Sequence, residues 1–340
     1  SGTVSVRARG GKNLGVMPPL RELVYEVIQH PNTRMLALKS GELDCDSLSP
    51  EQWINQTSGP EFSEHGFLRK IRRPGRTFCY IGLNQRNPLF QDRRVRTALS
   101  CLVDRDRIVR DVYQGLAHPV SGPFFLDSPA YDKSVKPHAF DVEKAKRLLA
   151  EAGWRDTDGD GVLDRDGKKF QFTVMYPNVN ANYQKMLPIL KEDMAKAGVR
   201  LEILALEWSV VVERIGKRDF DASLIAWTQS LTPDPYQLWH SDHANVDGSS
   251  NYIGFSNPEA DRLIGEIRVC FDEKKREELY HRFHRLLHEE APYLFLVSQD
   301  DLFVVNRRFR NLRVFPYVLP TEILWLPRSE RKDAKKAESR

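Results

Sequence analysis

The sequence predicts an α/β fold, and three observations carry that reading. Between Phe170 and Trp227, apolar runs of strand length alternate with stripes of helical period, the rhythm of a mainly parallel sheet wrapped by helices. The 340 residues, 41% of them hydrophobic, suffice for about two domains with a sizeable core. A mean hydropathy of -0.51, with no run approaching the ~18 apolar residues of a spanning helix, describes a globular chain rather than a disordered or membrane-embedded one.

The elements follow in order. Residues 4–9 alternate as a strand, 20–28 are extended and apolar, 32–40 read as a helix closed by Gly41, and 49–54 as a second short helix. Strands at 66–71 and 77–83 are joined by Arg73-Pro74-Gly75, a turn-forming triplet. Asp92 caps a helix to Leu102 with Val95, Ala98, Leu99 and Leu102 on one face, and Asp104 opens another that Gly115 ends. A proline-rich connector at 119–137 leads to a helix at 141–152. Strands at 170–176, 200–205 and 222–227 then alternate with helices at 183–197 and 208–217. Helices at 258–270 and 272–289 precede strands at 293–297 and 302–306 and an extended end to Trp325.

Lys and Arg number 51 against 47 Asp and Glu, a net charge of +4. Three of the surplus charges lie in 328–340, where six basic residues face three acidic ones, so the tail reads as a solvated end. Polyanion binders carry their basic excess on the fold itself, and no nucleic-acid partner is expected here. Cys45, Cys79, Cys101 and Cys270 sit far apart without a CxxC, which predicts isolated thiols and leaves disulfides between distant segments open. Ser1-Gly2 directly before a strand, with no Met or signal peptide, reads as a cloning remnant on a chain cut from something longer.

Asp156, Asp158 and Asp160 at alternate positions, then Gly161 and Asp164, have a spacing that can gather oxygen ligands around calcium. The twelfth position is Gly167 instead of a bidentate Glu, and no helix pair flanks the loop, which favours a hairpin held by Asx turns. Calcium stays as the weaker alternative, and no other cofactor is expected. His281, His284 and His288 share a helix whose core stripe is Leu279, Phe283, Leu286 and Leu287, so the histidines are expected on its solvated face and not around a metal. His240-Ser241-Asp242-His243 reads as polar loop composition. No GxSxG, HExxH, GxxxxGK[ST] or GxGxxG occurs, and an enzyme has no supporting signature. Trp227 ends a parallel strand and opens onto Thr228-Gln229-Ser230-Leu231-Thr232-Pro233-Asp234-Pro235, placing an aromatic wall and hydrogen-bonding groups where α/β lobes bind ligands.

Tyr80-Ile81-Gly82-Leu83-Asn84, then Asn87-Pro88-Leu89-Phe90-Gln91-Asp92-Arg93-Arg94-Val95-Arg96-Thr97-Ala98-Leu99-Ser100 and Asp104-Arg105, resembles the signature of extracellular solute-binding protein family 5, which serves ABC importers of oligopeptides, dipeptides and nickel chelates. Similar segments continue in order: 146–154 with the DxDGDG turn, Phe220-Asp221-Ala222 to Trp227, Asp234-Pro235, Asn257-Pro258-Glu259-Ala260-Asp261, and Glu289-Glu290-Ala291-Pro292-Tyr293. The resemblance implies a two-lobed periplasmic-binding-protein-like fold of class II type that closes on its ligand, with the first lobe incomplete. Residues 1–83 would be the C-terminal part of lobe I, 84–297 lobe II, 298–327 the return to lobe I and 328–340 a charged tail. The absent N-terminal part of lobe I would be a separate chain, a removed segment or a swapped partner.

On that resemblance the chain is a non-catalytic substrate-binding component of an ABC importer. It would be periplasmic or otherwise extracytoplasmic, membrane-associated through the permease, and would take a peptide or similar small solute between its lobes. Trp227 would give an apolar wall, and Tyr176, Asn178, Asn182, Gln229 and Ser230 hydrogen bonds, with Asp234 in a separate Asp-Pro element. Where peptide binders of the family place an Asp for the peptide amine stands Ser230, and the Arg of dipeptide binders has no match in 171–199. A longer or less charged ligand than a free dipeptide is therefore expected. A ligand-sensing regulatory module on the same fold is the alternative, and a hydrolase with an unsigned site a weaker one.

Overall fold

In a computed structural model the chain divides into two compact units, Ser1–Gly75 with Asp300–Arg340, and Arg76–Gln299. The structure describes residues 4–10, 20–28, 30–315 and 324–327. The charged tail, Ser1-Gly2 and residues 316–323 of the returning segment lie outside them. The division expected after Leu83 falls at Gly75, because the strand Thr77–Leu83 is bonded along both edges within the second unit's sheet.

The smaller unit is an antiparallel sheet of β1 (Val4–Gly10), β2 (Leu20–Val27), β3 (Cys45–Ser47), β4 (Leu68–Arg73) and β13 (Asp301–Asn306), in the order β2-β1-β3-β13-β4. Helix α1 (Pro31–Lys39) starts on a proline that suits a first turn, buries Met35, Ala37 and Leu38, and ends where Gly41 takes φ 73°. Helix α2 (Pro50–Asn55) carries a capping box between Ser49 and Gln52. Ile71, Val305, Phe309, Leu324 and Leu326 pack together, and the buried carboxylates Asp46 and Asp44 are paired with Arg34 at 3.1 Å and Arg308 at 2.5 Å.

The larger unit is a six-stranded sheet in the order β10-β9-β11-β5-β12-β6. Its strands are β5 (Thr77–Leu83), β6 (Ala117–Pro119), β9 (Gln171–Pro177), β10 (Arg200–Leu206), β11 (Ala222–Thr228) and β12 (Tyr293–Gln299). The mainly parallel sheet expected is a mixed one: β10/β9 and β9/β11 are parallel, whereas β11/β5, β5/β12 and β12/β6 are antiparallel. The chain enters this unit through β5 and leaves through β12 at the same end of the sheet, where Phe78 faces Ser298, so those two strands must run in opposite directions. One face is covered by α3 (Arg93–Cys101), α4 (Arg105–Asp111), α5 (Val142–Glu151) and α6 (Ala181–Ala195); the other by α7 (Trp208–Lys217), α8 (Tyr236–Trp239), α9 (Pro258–Val269) and α10 (Glu273–Glu290). Cys79, Ile81 and Leu83 face the first layer and Phe78 and Tyr80 the second, which is why β5 reads as an unbroken apolar run. A two-stranded hairpin, β7 (Asp164–Arg165) with β8 (Lys168–Lys169), completes the unit. All four cysteines are free, and among the described residues no helix is long and apolar enough to cross a membrane.

The signature block is a hydrogen-bond frame. Asn84 donates to the carbonyls of Phe220 and Arg218, and Asn87 Nδ2 donates to Asp221 at 2.8 Å, whose second oxygen accepts the Thr173 N–H. Arg96 reaches the carbonyls of Phe90, Gln91 and Glu290 and the Glu290 carboxylate. Arg105, 5% exposed, donates to the carbonyls of Phe295, Ser100, Val103 and His138 and to Ser100 Oγ, all within 3.3 Å. Its burial pulls the guanidinium down to about 10.

Beside Arg105, the connector after β6 is held to α10 by histidines. The expectation of a solvated histidine face fails for His284, which is 0% exposed: the apolar stripe of α10 is wide enough to carry it under the connector. His288 Nδ1 lies 3.2 Å from the Ser121 carbonyl, and His138, stacked on His288 at 4.1 Å, lies 3.2 Å from the His288 carbonyl. Burial pushes His138 down to about 4 and His284 to about 3, and lowers His288. These bases have lower pKa values folded than unfolded, so the unfolded state binds more protons between about pH 3 and the ordinary value of about 6.5. Their contribution to stability is full above that value and is lost as pH falls through the window. The urea midpoint is therefore expected to drop between about pH 7 and about pH 4, and a pH-independent midpoint would contradict this.

Candidate ligand-binding site

The connections of the larger unit place a crevice at one end of its sheet. From β9 the chain crosses through α6 to β10 on one side, and returns through α7 to β11 on the other. Helix α6 packs its Met186, Leu187 and Leu190 on the first face and α7 its Val211 on the second, so β9/β11 is the point at which the winding reverses. Ligands of open α/β sheets bind at the carboxyl ends of the strands flanking such a point. Here β9 and β11 share only two register pairs, Ala222 with Val174 and Ser223 with Met175, whereas β11 pairs with β5 from Ala222 to Thr228. Beyond Ser223, one edge of β11 runs without β9 alongside it.

Of the seven residues expected at a site, four come together at the end of β11. Trp227, Gln229, Ser230 and Asp234 line a cavity of about 270 Å³ with Phe124, Thr228, Pro233, Pro235, Gln237, Leu238 and Trp239. Trp227 is half-buried and packs on the second layer, which makes it a wall. Gln229, 6% exposed, spends its amide on the structure: Nε2 donates to the Pro123 carbonyl and Oε1 accepts the Phe125 N–H at 3.2 Å. Its backbone pairs with Arg76. Ser230 is exposed, with Oγ donating to the Thr232 carbonyl at 2.6 Å. Asp234 accepts the Tyr236 N–H and lies 3.4 Å from Arg268.

Tyr176, Asn178 and Asn182 do not join that cavity. Side chains alternate across the sheet, and Tyr176 falls among the first-layer core at 7% exposure, on the face opposite Trp227. Asn178 Nδ2 donates to Glu207 at 2.7 Å, and Asn182 Nδ2 to Gln299 Oε1 at 3.3 Å. The wall residues Phe124, Leu238 and Trp239 are not in the set read from sequence. The Phe124-Phe125 pair inside a proline-rich connector is the signal that could have found Phe124.

Other polar clusters resolve into local architecture. Oxygens of Asp156, Asp158 and Asp164 lie within 4.8 Å of one another. Lys169 Nζ, however, sits 2.6 Å from Asp158, 2.9 Å from Asp160 and 3.7 Å from Asp164, while Asp156 accepts the N–H groups of Gly159 and Gly161. The lysine's hydrogen bond lowers Asp160, and that of Thr157 lowers Asp164. A calcium ion would have to displace this ammonium. In the 240–243 cluster, His240 Nδ1 accepts the Asp242 N–H, and Asp261 accepts the N–H and hydroxyl of Ser241. A second cavity of about 350 Å³, lined by Thr173, Arg214, Arg218, Phe220 and Ala222, lies at the amino ends of β9 and β11.

The sequence profile of the bacterial extracellular solute-binding proteins, family 5 Middle, matches residues 14–249. The oligopeptide-binding protein AppA of Bacillus subtilis is 32% identical over 304 residues, covering 88% of this chain and 54% of that protein. The nickel-binding periplasmic protein of Escherichia coli is 26% identical over 316 residues, covering 91% and 59%. The structure of Bacillus subtilis AppA in complex with a nonapeptide aligns with a TM-score of 0.80 at 27% identity, over 96% of this chain and 66% of that one. The chain spans about half the length of the curated relatives it matches.

The cavity separates structural from surface polar groups. Gln229→Ala strands a buried carbonyl and a buried N–H and is expected to cost about 2–4 kcal/mol in urea unfolding, against ~0.5 kcal/mol or less for Ser230→Ala. Millimolar calcium is expected to leave the thermal midpoint unchanged, since Lys169 already supplies the cation; an upward shift would assign an ion to the loop.

Proposed function

The chain belongs to the bacterial extracellular solute-binding proteins of family 5, and from that premise we propose that it is a substrate-binding component of an ABC importer, binding a peptide or peptide-like solute at the end of β11. The observation that carries the reading is the edge of β11 beyond Ser223, which β9 leaves beside a cavity walled by Trp227, Phe124 and Trp239. A strand edge offers N–H and C=O groups in the spacing of an extended peptide backbone, and an adjacent aromatic pocket takes a side chain. The relatives compared are binding proteins by name, one for oligopeptides and one for nickel, and we read this chain as a binder rather than an enzyme.

The charges at the cavity narrow the ligand class. Asp234 pairs with Arg268, and Ser230, whose hydroxyl donates to the Thr232 carbonyl, stands where the family resemblance implies an amine-binding Asp. A free dipeptide would bring two termini, each needing a countercharge once desolvated. The ligand favoured here is an oligopeptide read through its uncharged backbone, with its ends outside the cavity.

The partners follow from the same reading. The importer's membrane permease would receive the solute, on the extracytoplasmic side of the membrane. Additional polypeptide, corresponding to the part of the relatives beyond this chain's match, would complete the smaller unit, where Tyr25, Val27, Leu36 and Ile54 are each half or more exposed.

Calorimetric titration of nonapeptides with free ends and with acetylated, amidated ends tests the ligand class. The two forms are expected to bind within about threefold of each other, and Trp227→Ala to weaken both by about tenfold to a hundredfold. Binding confined to peptides with free ends, or an affinity indifferent to Trp227→Ala, would overturn the proposal.

A further inference from the structure

We propose that His284 is a positioning residue for the β11 cavity, acting through the connector that supplies one of its walls; this rests on reading that cavity as the ligand site. The connector lies between α10 and the β11 loop and is gripped from both sides. On the β11 side, Gln229 binds the Pro123 carbonyl and the Phe125 N–H, and Phe124 between them lines the cavity. On the α10 side, the buried His284 holds both flanks of the same segment, with Nδ1 3.0 Å from the Asp132 N–H and Nε2 3.1 Å from Ser121 Oγ. The ring also sits edge-on behind Phe124, at 6.1 Å between centroids.

This network admits one tautomer. A backbone N–H can only donate, so Nδ1 of His284 is bare and the proton is on Nε2, which donates to Ser121 Oγ. The Ser121 hydroxyl donates to the Val135 carbonyl at 2.8 Å and accepts from Tyr131 OH at 2.7 Å, while Tyr131 OH accepts the Ser121 N–H. The Asp132 carboxylate accepts from Ser134 and pairs with Arg285. Every donor named has an acceptor, and a neutral imidazole joins the two ends of the connector. A side chain at position 122 would collide with that imidazole, so Gly122 lets the ring come this close. Loss of the imidazole leaves the Asp132 N–H without its acceptor and Ser121 Oγ without one of its donors, and removes one of the rings packed around Phe124.

The test compares wild type with His284→Ala, His284→Asn and Ser121→Ala, reading amide hydrogen exchange at Phe125 and Gln229 and affinity for an end-blocked nonapeptide pool. Asparagine keeps an acceptor for the Asp132 N–H and is expected to restore part of what alanine loses. Ser121→Ala, a smaller change, serves if His284→Ala does not fold. In the alanine variants exchange at both amides is expected to rise about tenfold, and affinity to fall about tenfold, with amides of Leu187 and Leu190 in α6 unchanged. Unchanged exchange at Phe125 and Gln229, or a rise shared equally by α6, would overturn the role of His284. Fast exchange with undiminished affinity would instead overturn the reading of the cavity as the ligand site.

Discussion

Strands β9 and β11 run side by side for two register pairs and then part, and the features at the carboxyl end of the larger sheet depend on that parting. The crossovers before and after β10 lie on opposite faces, with α6 packing on one and α7 on the other, so the connections at this end of the sheet leave toward opposite faces. A sheet with both faces covered can expose backbone only at its edges or where neighbouring strands diverge. The divergence leaves β11 paired to β5 alone over its last residues, and there the loop from Thr228 to Pro235 begins. Two prolines stiffen that loop, and Gln229 ties it to the connector, so the walls around Trp227 are set before any ligand arrives.

The residues most diagnostic of the family lie away from this end. Asn84, Asn87, Arg96 and Arg105 bind carbonyls, the half-buried Asp221 and Glu290. Arg105 is instructive because five hydrogen bonds to neutral acceptors, rather than a carboxylate, compensate its burial. Such a frame fixes where the strands start without touching what binds at their ends. It fits a family whose members' names span oligopeptides and nickel.

Much of the architecture was legible because local signals agree with tertiary placement. Asp92 was readable as a cap and Asp104 as the start of a helix, and each accepts a backbone N–H of the first turn, as do Asp141 and Asp272 where two further helices were expected to begin. The antiparallel half of the sheet was not legible, since strand direction is set by where the chain enters and leaves the unit and not by side-chain period. Short β3, β6 and α8 carry too few residues for a periodic signal. At the candidate site, the cavity-lining position of Trp227 was readable from its place at a strand end. Tyr176 was misplaced because one residue of register decides which face a side chain takes, and nothing in composition shows that Gln229 points inward to the connector. His284 was hidden by the charged residues around it on α10, which mark an exposed face everywhere except under the connector.

The assignment of the site turns on the proposal that an extended ligand lies along β11 beyond Ser223. The most direct measurement is photo-cross-linking of a nonapeptide bearing a benzophenone side chain, with the adduct mapped by mass spectrometry. Adducts are expected on residues 224–235 and on Phe124. Adducts concentrated instead on Arg214, Arg218 and Phe220, around the cavity at the amino ends of β9 and β11, would contradict it.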